Sequence, residues 1–414
     1  MSLKRKLRAR LVSVYLGERL LRLKRWWYRR TRRKPRQITF FHQLDDPHSH
    51  LLLQVLPRLD ETCRIRIRLV PTPQAQFTPD RERLARWAFA DARLLADRYG
   101  LSLPDAAAPP PQELLKLAHQ IAIPVNHDFA ALQRIGDVLL SGNRDGLDGR
   151  RNDNPVVHLA ENQQRLHRMG HYLGGMIHYE GEWYWGIDRL NLLLSRLEAE
   201  GVSVGDVLPA PTPMSLAATP EDTPLEFFFS FRSPYSYLAI QRTLALAAQA
   251  GVRLIIRPVL PMVMRGLSVP EVKVLYIARD AARLARQQGQ PFGLICDPVG
   301  PGILSCLGLF AYARTVGKEA ELLQSAGRGI WAEGLDITAT ADLQIIATRA
   351  GLDWSVASDW LDRPEGAALA EENRQALLDA GLWGVPSFRY GDVVVWGQDR
   401  LPLVEQMLGQ PSGS

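Results

Sequence analysis

The stretch that constrains the fold most begins as a continuous apolar run, Phe227–Phe229, and passes through Arg232-Ser233-Pro234 into a helix start. Such a run is typical of a β-strand that is buried on both faces. Ser233 stands where a helix N-cap belongs, and Pro234 occupies the first helical position, where a missing N–H has no cost. The amphipathic pattern of residues 235–250 predicts the helix that follows. This junction places the Ser233 side chain at the positive end of a helix dipole, which stabilises an anion or a thiolate.

The second half of the chain repeats the first half, which predicts that one fold occurs twice. Three blocks align in the same order along the two halves. They pair Phe40–Leu51 with Phe227–Leu238, Trp87–Ala92 with Tyr276–Ala281, and Trp185–Leu190 with Trp396–Leu401. Chance matches at three places in one order are improbable, so we interpret the repeat as a tandem duplication.

Each copy reads as a strand, a helix, a strand, a long helical insert, a two-stranded hairpin and a last helix, which is an α/β arrangement. Composition places the domain boundaries. We predict a basic N-terminal arm over residues 1–36, a first domain over 37–202, a Pro-rich linker over 203–224 and a second domain over 225–410.

The arm carries fifteen Lys and Arg residues and a single acid, Glu18, so the rest of the chain is net negative although the whole chain is +6. Its leucines and the Trp26–Trp27 pair are too interrupted for a secretory signal. A basic helix of this kind suits an anionic membrane surface or nonspecific nucleic-acid binding. A solvated or partly disordered arm is the alternative.

The cysteines and histidines exclude several kinds of site. The three cysteines form no C-x-x-C, which argues against a disulfide framework and fits a reducing, cytoplasmic location, peripheral to a membrane if the arm binds one. All nine histidines precede residue 200, so Ser233 has no histidine base in its own domain, as a Ser-His-Asp hydrolase requires. We expect no metal site. A cluster in the first domain is a minor alternative, because the spacing of its residues matches no standard site: Asp45, Asp46, His48, His50 and His171.

Four pieces of the second copy carry a resemblance to a known family. The first, Ser233-Pro234-Tyr235-Ser236, has the layout of a thioredoxin C-x-x-C loop with both cysteines replaced by serine. The others are Pro270–Tyr276 with Arg279-Asp280 and Gly289–Phe292, then Ile330–Ile337, and Gly381–Phe388 with Trp396–Leu401. Together they cover about residues 225–408 and resemble the DsbA-related branch that holds kappa-class glutathione transferases and 2-hydroxychromene-2-carboxylate isomerases. The resemblance implies two tandem thioredoxin-like domains, each with a helical insert.

The resemblance also implies a glutathione site. Ser233 would donate to the glutathione sulfur, aided by the dipole of the helix that Pro234 and Tyr235 begin. A cis Val385–Pro386 bond would pair with the cysteinyl backbone. Gln398 is also implied in binding glutathione. The remaining implied contacts are those of Asp399 with the γ-glutamyl ammonium, and of Lys273 with the glycyl carboxylate or the substrate acid. Ordinary structural roles are the alternatives: helix capping for Ser233, dipole compensation for Asp399 and an exposed charge for Lys273.

A substrate pocket is expected between the Ser233 loop and the insert. It would be apolar and would suit an aryl acid, with lining residues Met262, Met264, Tyr276, Trp331 and Trp383. The sequence also departs from the family pattern. The asparagine that helps the family bind glutathione is missing from Pro261–Ser268. The first copy departs further and is interpreted as degenerate, with Asp46, Gly175, Leu84 and Leu139 in place of Ser233, Pro386, Lys273 and Trp331.

The expected activity is that of a glutathione-dependent isomerase that acts on a small aromatic acid. A kappa-like glutathione transferase would use the same site and release a conjugate. A disulfide oxidoreductase is improbable, because Ser233 and Ser236 replace both reactive thiols. A non-catalytic binding or scaffold protein is the remaining alternative, favoured by the missing asparagine. The sequence leaves the oligomeric state open.

Overall fold

The computed structural model describes residues 3–31, 36–74, 80–105, 108–214, 220, 222–266 and 269–409. Parts of the predicted arm (residues 1, 2 and 32–35) and of the predicted linker (215–219 and 221) lie outside these ranges. By backbone proximity the chain divides into two compact units. The first unit comprises Arg25–Met214 with Pro270–Lys273, and the second comprises Met1–Lys24, Ser215–Val269 and Val274–Ser414.

Two helices begin the chain, α1 (Leu3–Leu16) and α2 (Glu18–Thr31), and the division between the units falls within α2. The described part of the arm is therefore helical, which is one of the two alternatives that the sequence left open. In the second unit, Arg286 donates to the carbonyl of Leu16 at 3.0 Å, and the Arg279 guanidinium lies over the Tyr15 ring at 4.4 Å. In the first unit, Arg25 forms an ion pair with Glu182 at 2.7 Å. None of the helices among the described residues has the length and apolar character needed to cross a bilayer.

The first unit contains a four-stranded sheet whose order is β2-β1-β3-β4, with β1 parallel to β2 and antiparallel to β3. Its strands are β1 (Gln37–Gln43), β2 (Arg64–Val70), β3 (Met176–Tyr179) and β4 (Glu182–Trp185). Its helices are α3 (Pro47–Asp60), α4 (Arg81–Tyr99), α5 (Gln112–Ala122), α6 (Phe129–Leu140), α7 (Pro155–Arg168) and α8 (Leu190–Ala199), with 3₁₀ turns at Ile123–Val125 and Ile187–Arg189.

The second unit contains a sheet with the same order and strand directions, β6-β5-β7-β8. Its strands are β5 (Leu225–Phe229), β6 (Leu254–Pro258), β7 (Ser387–Tyr390) and β8 (Val393–Trp396). After α9 (Pro234–Ala250), the helices are α10 (Glu271–Gln287), α11 (Pro301–Thr315), α12 (Glu319–Arg328), α13 (Thr340–Arg349), α14 (Trp354–Ala357), α15 (Pro364–Asp379) and α16 (Leu401–Leu408). Single turns of 3₁₀ or π-helix occur at Met262–Arg265, Gly329–Glu333, Ser358–Trp360 and Gln398–Arg400.

Strand β5 is buried along its whole length, as the apolar run Phe227–Phe229 predicts. The Phe227 ring stacks on Phe388 of β7 at 5.2 Å, and Phe229 packs against Phe310 of α11 at 5.7 Å. The sheet is thus held between helices on an aromatic core. In the first unit the equivalent core is mainly aliphatic and is formed by residues such as Ile38, Leu51, Leu52, Leu56 and Ile177.

One charged residue, Glu226, lies within the buried strand β5 and is 3% exposed. Burial by itself would raise the pKa of this carboxyl, but hydrogen bonds from Arg389 and Arg257 hold it below its usual value. Arg257 also donates to Asn373 of α15 at 3.0 Å, and Asn373 donates to the carbonyl of Pro258. The ion pairs therefore satisfy the buried charge and join the last insert helix to the sheet.

Candidate functional site

Ser233 is the N-cap of α9, as the sequence predicts, with extended backbone angles of φ −97° and ψ 113°. Its Oγ accepts a hydrogen bond from the backbone N–H of Ser236 at 3.1 Å. The same hydroxyl donates to the carbonyl of Val385 at 3.3 Å, although Val385 is 152 residues away in sequence. The Ser233 side chain is half-buried, so it lies at the helix N-terminus where a ligand atom can reach it.

A second serine fixes the backbone of this junction. Ser236 is 1% exposed, and its Oγ accepts from the N–H of Ser230 at 3.4 Å. The N–H of Ser233 donates to the carbonyl of Ser230 at 3.0 Å and closes the turn. Pro234 at the first helical position needs no donor. The Ser236 hydroxyl therefore holds the end of the strand, and the Ser233 hydroxyl caps the start of the helix.

The peptide bond between Val385 and Pro386 is cis, as the sequence analysis expects, and it immediately precedes β7. The carbonyl of Pro386 accepts from the N–H of Gly397 at 2.8 Å. Gly384 has no side chain because the Trp396 ring covers it, and a Cβ at Gly384 would lie 2.0 Å from that ring. The Val385 carbonyl is thus presented to Ser233 by a closely packed turn.

Gln398 and Asp399 lie in the 3₁₀ turn that precedes α16. Gln398 is 2% exposed, and its side-chain oxygen accepts from Arg242 of α9 at 3.3 Å and from Gln288 at 3.1 Å. Its amide nitrogen donates to the Asp399 carboxylate. Burial lowers the pKa of Arg242, and the negative charge of Asp399 opposes this shift. Gln398 therefore connects α9 to the half-buried Asp399 carboxylate.

Tyr235, which the resemblance assigns to glutathione, directs its hydroxyl to a buried carboxylate. It donates to Asp280 of α10 at 2.8 Å, and Arg283 donates to the other oxygen of Asp280 at 2.6 Å. Asp280 is 2% exposed. The Tyr235 hydroxyl thus joins the first turn of α9 to α10, and a contact with a ligand would come from another part of this residue.

Comparison with known proteins gives the family of this part of the chain. Residues 224–409 match the DSBA-like thioredoxin domain. The 2-hydroxychromene-2-carboxylate isomerase of Sphingobium xenophagum is 27% identical over 196 residues, which are 44% of this chain and 97% of that protein. The isomerase of the same name from Pseudomonas putida is 26% identical over 194 residues, 45% of this chain and 94% of that protein. A solved 2-hydroxychromene-2-carboxylate isomerase structure shares 25% identity over 45% of this chain and 94% of its own length, with a TM-score of 0.40.

The C-terminal part of the chain therefore has the mixed α/β fold of the DSBA-like thioredoxin domain. Its cysteines are Cys296 and Cys306, and both are buried. Burial raises the pKa of the Cys306 thiol to about 12, which keeps it protonated and unreactive at neutral pH. Neither buried cysteine lies in the Ser233–Ser236 loop.

The aromatic residues predicted to line a pocket are mostly buried in protein contacts. Trp331 is 7% exposed, and its indole N–H donates to the carbonyl of Phe231 at 3.1 Å. Its ring stacks on Phe292 at 5.9 Å. Trp383 is 3% exposed and packs edge-on against Trp396 at 4.9 Å. These contacts tie the insert and the cis turn of the DSBA-like domain to the sheet.

Three other predicted pocket residues, Met262, Met264 and Tyr276, are half-buried. Lys273 is also half-buried, and burial lowers the pKa of its ammonium group. The segment Pro270–Lys273 belongs to the first compact unit, whereas Ser233 belongs to the second. A role for Lys273 in glutathione binding, like the pocket itself, stays a prediction.

The first unit makes the same junction with other side chains. Asp46 is the N-cap of α3 and accepts from the N–H of His48 at 3.1 Å. Burial raises the pKa of Asp46 to about 6; His48 opposes this shift, and Asp45 adds to it. Gly175 precedes β3 with φ +63°, and a Cβ there would lie 2.8 Å from the Asp46 carboxylate. The Asp46 carboxyl therefore occupies the space next to the turn at Gly175.

The histidines of the first unit are distributed among separate buried contacts. His42 contacts the Ser49 hydroxyl at 2.7 Å, His48 pairs with Asp91 at 3.4 Å, and His50 pairs with Asp137 at 2.9 Å. Among the described residues, no group of three or more His, Cys, Asp or Glu side chains is arranged to hold a metal ion.

The sequence analysis missed the residues that support the site from other helices. These are Arg242 and Gln288 beside Gln398, Asp280 beside Tyr235, and Arg265, which donates to the Trp383 carbonyl at 3.0 Å. Asp280 was within a motif of the resemblance, so its signal was present. Arg242 is 156 residues from Gln398 in sequence, and nothing local to either residue indicates the contact.

Proposed function

We propose that the second unit is a glutathione-dependent isomerase of the 2-hydroxychromene-2-carboxylate isomerase type, with Ser233 as the residue that stabilises the glutathione thiolate. The observation that carries the proposal is the position of the Ser233 hydroxyl. It caps α9 and faces the Val385 carbonyl at 3.3 Å. A bound thiolate would accept the hydrogen bond of the single Ser233 hydroxyl proton in place of the Val385 carbonyl and would lie at the positive end of a helix, and both contacts favour the ionised form of the thiol.

Side-chain contacts connect α9 to the Asp399 carboxylate. Arg242 of α9 donates to Gln398, and Gln398 donates to Asp399. In this proposal glutathione has its sulfur at Ser233, its cysteinyl backbone at Val385 and its ammonium group at the Asp399 carboxylate.

The residues of the site would have separate roles. Ser233 would hold the sulfur as a thiolate, and the Val385 turn would align the peptide backbone. When bound, glutathione would supply a nucleophile that adds to a conjugated aryl acid and leaves after the substrate has isomerised. The half-buried Met262, Met264 and Tyr276 offer apolar surface to such a substrate.

The relatives favour an isomerase as the reaction at this site. The matching proteins of Sphingobium xenophagum and Pseudomonas putida are named as isomerases, and the match to this chain covers 97% and 94% of their lengths. A kappa-like glutathione transferase would use the same thiolate and would release a glutathione conjugate. Product analysis separates the two reactions: an isomerase returns glutathione unchanged, and a transferase consumes it.

We infer further that the two units are descended from one duplicated ancestor. The identical strand order and the paired contacts support this interpretation. His48 contacts Asp91 in the first unit, and the aligned Tyr235 contacts the aligned Asp280 in the second. In this proposal the first unit has lost glutathione chemistry and serves as a structural or binding partner.

Calorimetric titration of the full chain with glutathione tests the function. We expect saturable binding by the intact protein, loss of binding in Ser233→Ala and Asp399→Ala, and unchanged binding in the matched first-unit variant Asp46→Ala. Failure of the intact protein to bind glutathione at millimolar concentration would overturn the proposal and favour a non-catalytic binding or scaffold protein.

A further inference from the structure

The two N-terminal helices expose apolar side chains in regular stripes. On α1, Leu7, Leu11 and Val14 follow the i, i+4, i+7 spacing of one helix face. On α2, Leu23, Trp26 and Trp27 follow the i, i+3, i+4 spacing. Each of these six side chains has between 55% and 66% of its surface exposed. Large apolar side chains that are grouped in this way mark an interaction surface, whereas isolated ones do not.

The opposite side of α1 is already packed against protein. Ala9 is 3% exposed and Leu16 is 5% exposed. The Leu16 carbonyl accepts from Arg286, and the Tyr15 ring lies under the Arg279 guanidinium. The helix is therefore docked by one face, and the Leu7, Leu11 and Val14 stripe is not the face that the fold uses.

Exposed basic side chains surround both stripes, and on α2 Arg19 and Arg30 share the face of Leu23, Trp26 and Trp27. The exposed basic residues are Arg8, Arg10, Arg19, Arg22, Lys24, Arg29 and Arg30. Glu18 is the single acid before residue 37, and it is paired with Arg22 at 2.6 Å. The Arg30 guanidinium lies 5.8 Å from the centre of the Trp26 ring, so basic and aromatic groups are intermixed on α2.

We propose that α1 and α2 bind the surface of an anionic phospholipid bilayer, each through its own apolar stripe inserted below the headgroups. Helices with tryptophan and leucine on one side and arginine around it lie in the membrane interface, where the apolar face is buried and the cations pair with anionic lipids. Tryptophan has its highest preference at this depth. The charge of the helices is complementary to such a surface.

Nucleic acid would also attract the arginines, but it gives no use to the aliphatic part of the stripes. Phosphate contacts require Lys and Arg alone, whereas Leu7, Leu11, Val14 and Leu23 gain free energy only when they leave water. The lipid proposal accounts for the basic and the apolar side chains together. It does not depend on the glutathione site.

Vesicle flotation of the full chain tests the proposal. We expect binding to phosphatidylcholine vesicles that contain phosphatidylserine and much weaker binding to phosphatidylcholine alone. The double variant Trp26→Ala/Trp27→Ala should lower the partition coefficient about tenfold or more. The variant Arg19→Gln/Arg30→Gln should also weaken binding and reduce its dependence on salt. Thermal unfolding of each variant checks that the fold is kept.

Two exposed valines of α7 provide the matched control. Val156 and Val157 are 72% and 51% exposed, and Val156→Ala/Val157→Ala should leave vesicle binding unchanged. Three results would overturn the proposal: no flotation with anionic vesicles, flotation that the Trp26 and Trp27 changes do not affect, or burial of the stripes by self-association that persists in the presence of vesicles. Tight binding to duplex DNA without vesicle binding would assign the surface to nucleic acid instead.

Discussion

At the end of β1 and at the end of β5, the chain turns into a helix through the same hydrogen bonds. Asp46 N–H donates to the Gln43 carbonyl at 3.3 Å, as Ser233 N–H donates to the Ser230 carbonyl at 3.0 Å. The Ser49 hydroxyl accepts from the N–H of Gln43, the last residue of β1, at 3.1 Å, and the Ser236 hydroxyl accepts from the N–H of Ser230, the residue after β5, at 3.4 Å.

The side chains that face the turn before the third strand differ. The first unit has a carboxyl with a raised pKa against Gly175, and the second has a hydroxyl that donates to the carbonyl of the Val385–Pro386 turn. The comparison teaches that the backbone frame and the chemistry in front of it are maintained by different residues. The frame is common to both units, and thiolate stabilisation is proposed only where Ser233 is present.

Replacing Ser233 by aspartate, the residue at the aligned position of the first unit, should have the largest effect. In Ser233→Asp, the carboxylate can still cap α9, but it repels a thiolate and offers no proton. We expect the affinity for glutathione to fall about a hundredfold, the value of a lost charge-assisted hydrogen bond. Calorimetry measures it, with Asp46→Ser as the control that should leave affinity unchanged. Retained affinity in Ser233→Asp would show that the thiol lies elsewhere.

The raised pKa of Asp46 predicts that ionisation of this carboxyl lowers the free energy of unfolding of the first unit. The folded state holds the proton up to about pH 6 and the unfolded state only up to about pH 4, so stability falls as pH rises through that window. Asp46→Asn keeps the N-cap acceptor and removes the charge. At pH 7 it should stabilise the chain by up to about 3 kcal/mol, less what solvent screens.

Urea unfolding between pH 4 and 8 checks this prediction. The increase in unfolding free energy of Asp46→Asn over the unchanged protein should grow with pH and then become constant. Asp128→Asn is the matched control, because Asp128 caps α6 in the same way but is exposed. A gain in Asp46→Asn that is equal at pH 4 and pH 7 would contradict the prediction.

Replacing His42 by the residue of the other unit, Phe229, should reduce acid sensitivity. Burial, with the nearby His50 and His119, lowers the pKa of His42 to about 3. The unfolded histidine takes up a proton below about pH 6.5 and the folded one does not, so stability is lost as pH falls. For His42→Phe we expect the loss between pH 7.5 and 5 to shrink by about 2 kcal/mol. Urea midpoints measure it, with His127→Phe at an exposed position as the control. An unchanged acid dependence would mean that other groups cause it.

The smallest expected effect comes from the contact between Trp331 of the helical insert and the Phe231 carbonyl before the Ser233 turn. Trp331→Phe removes the N–H that donates to the Phe231 carbonyl and keeps a ring against Phe292. We expect a loss of about 1 kcal/mol in unfolding free energy. Trp360→Phe is the matched change at another ring of the same unit. A larger loss of glutathione affinity than of stability would mean that Trp331 also positions Ser233.

Local rules were enough to predict the frame. The apolar run of β5, the Ser233 cap and the Pro234 start depend on neighbouring residues, and each is found in the structure. Contacts between distant segments were not predictable from residue type. Trp331 and Trp383 were expected to line a pocket, and the structure buries both indoles. Single aromatic residues indicate apolar surroundings without distinguishing a ligand from a packed neighbour.

The serine three positions after each cap, Ser49 or Ser236, has a consequence for how this fold can change. Its hydroxyl accepts from the N–H of Gln43 or Ser230, so the cap residue has only to supply an acceptor for the first turn of the helix. A hydroxyl and a carboxyl both meet this need, and the turn keeps its shape with either. A chain with two such turns can retain one reaction while the chemistry at the other cap changes, and the backbone of the turn is not rebuilt.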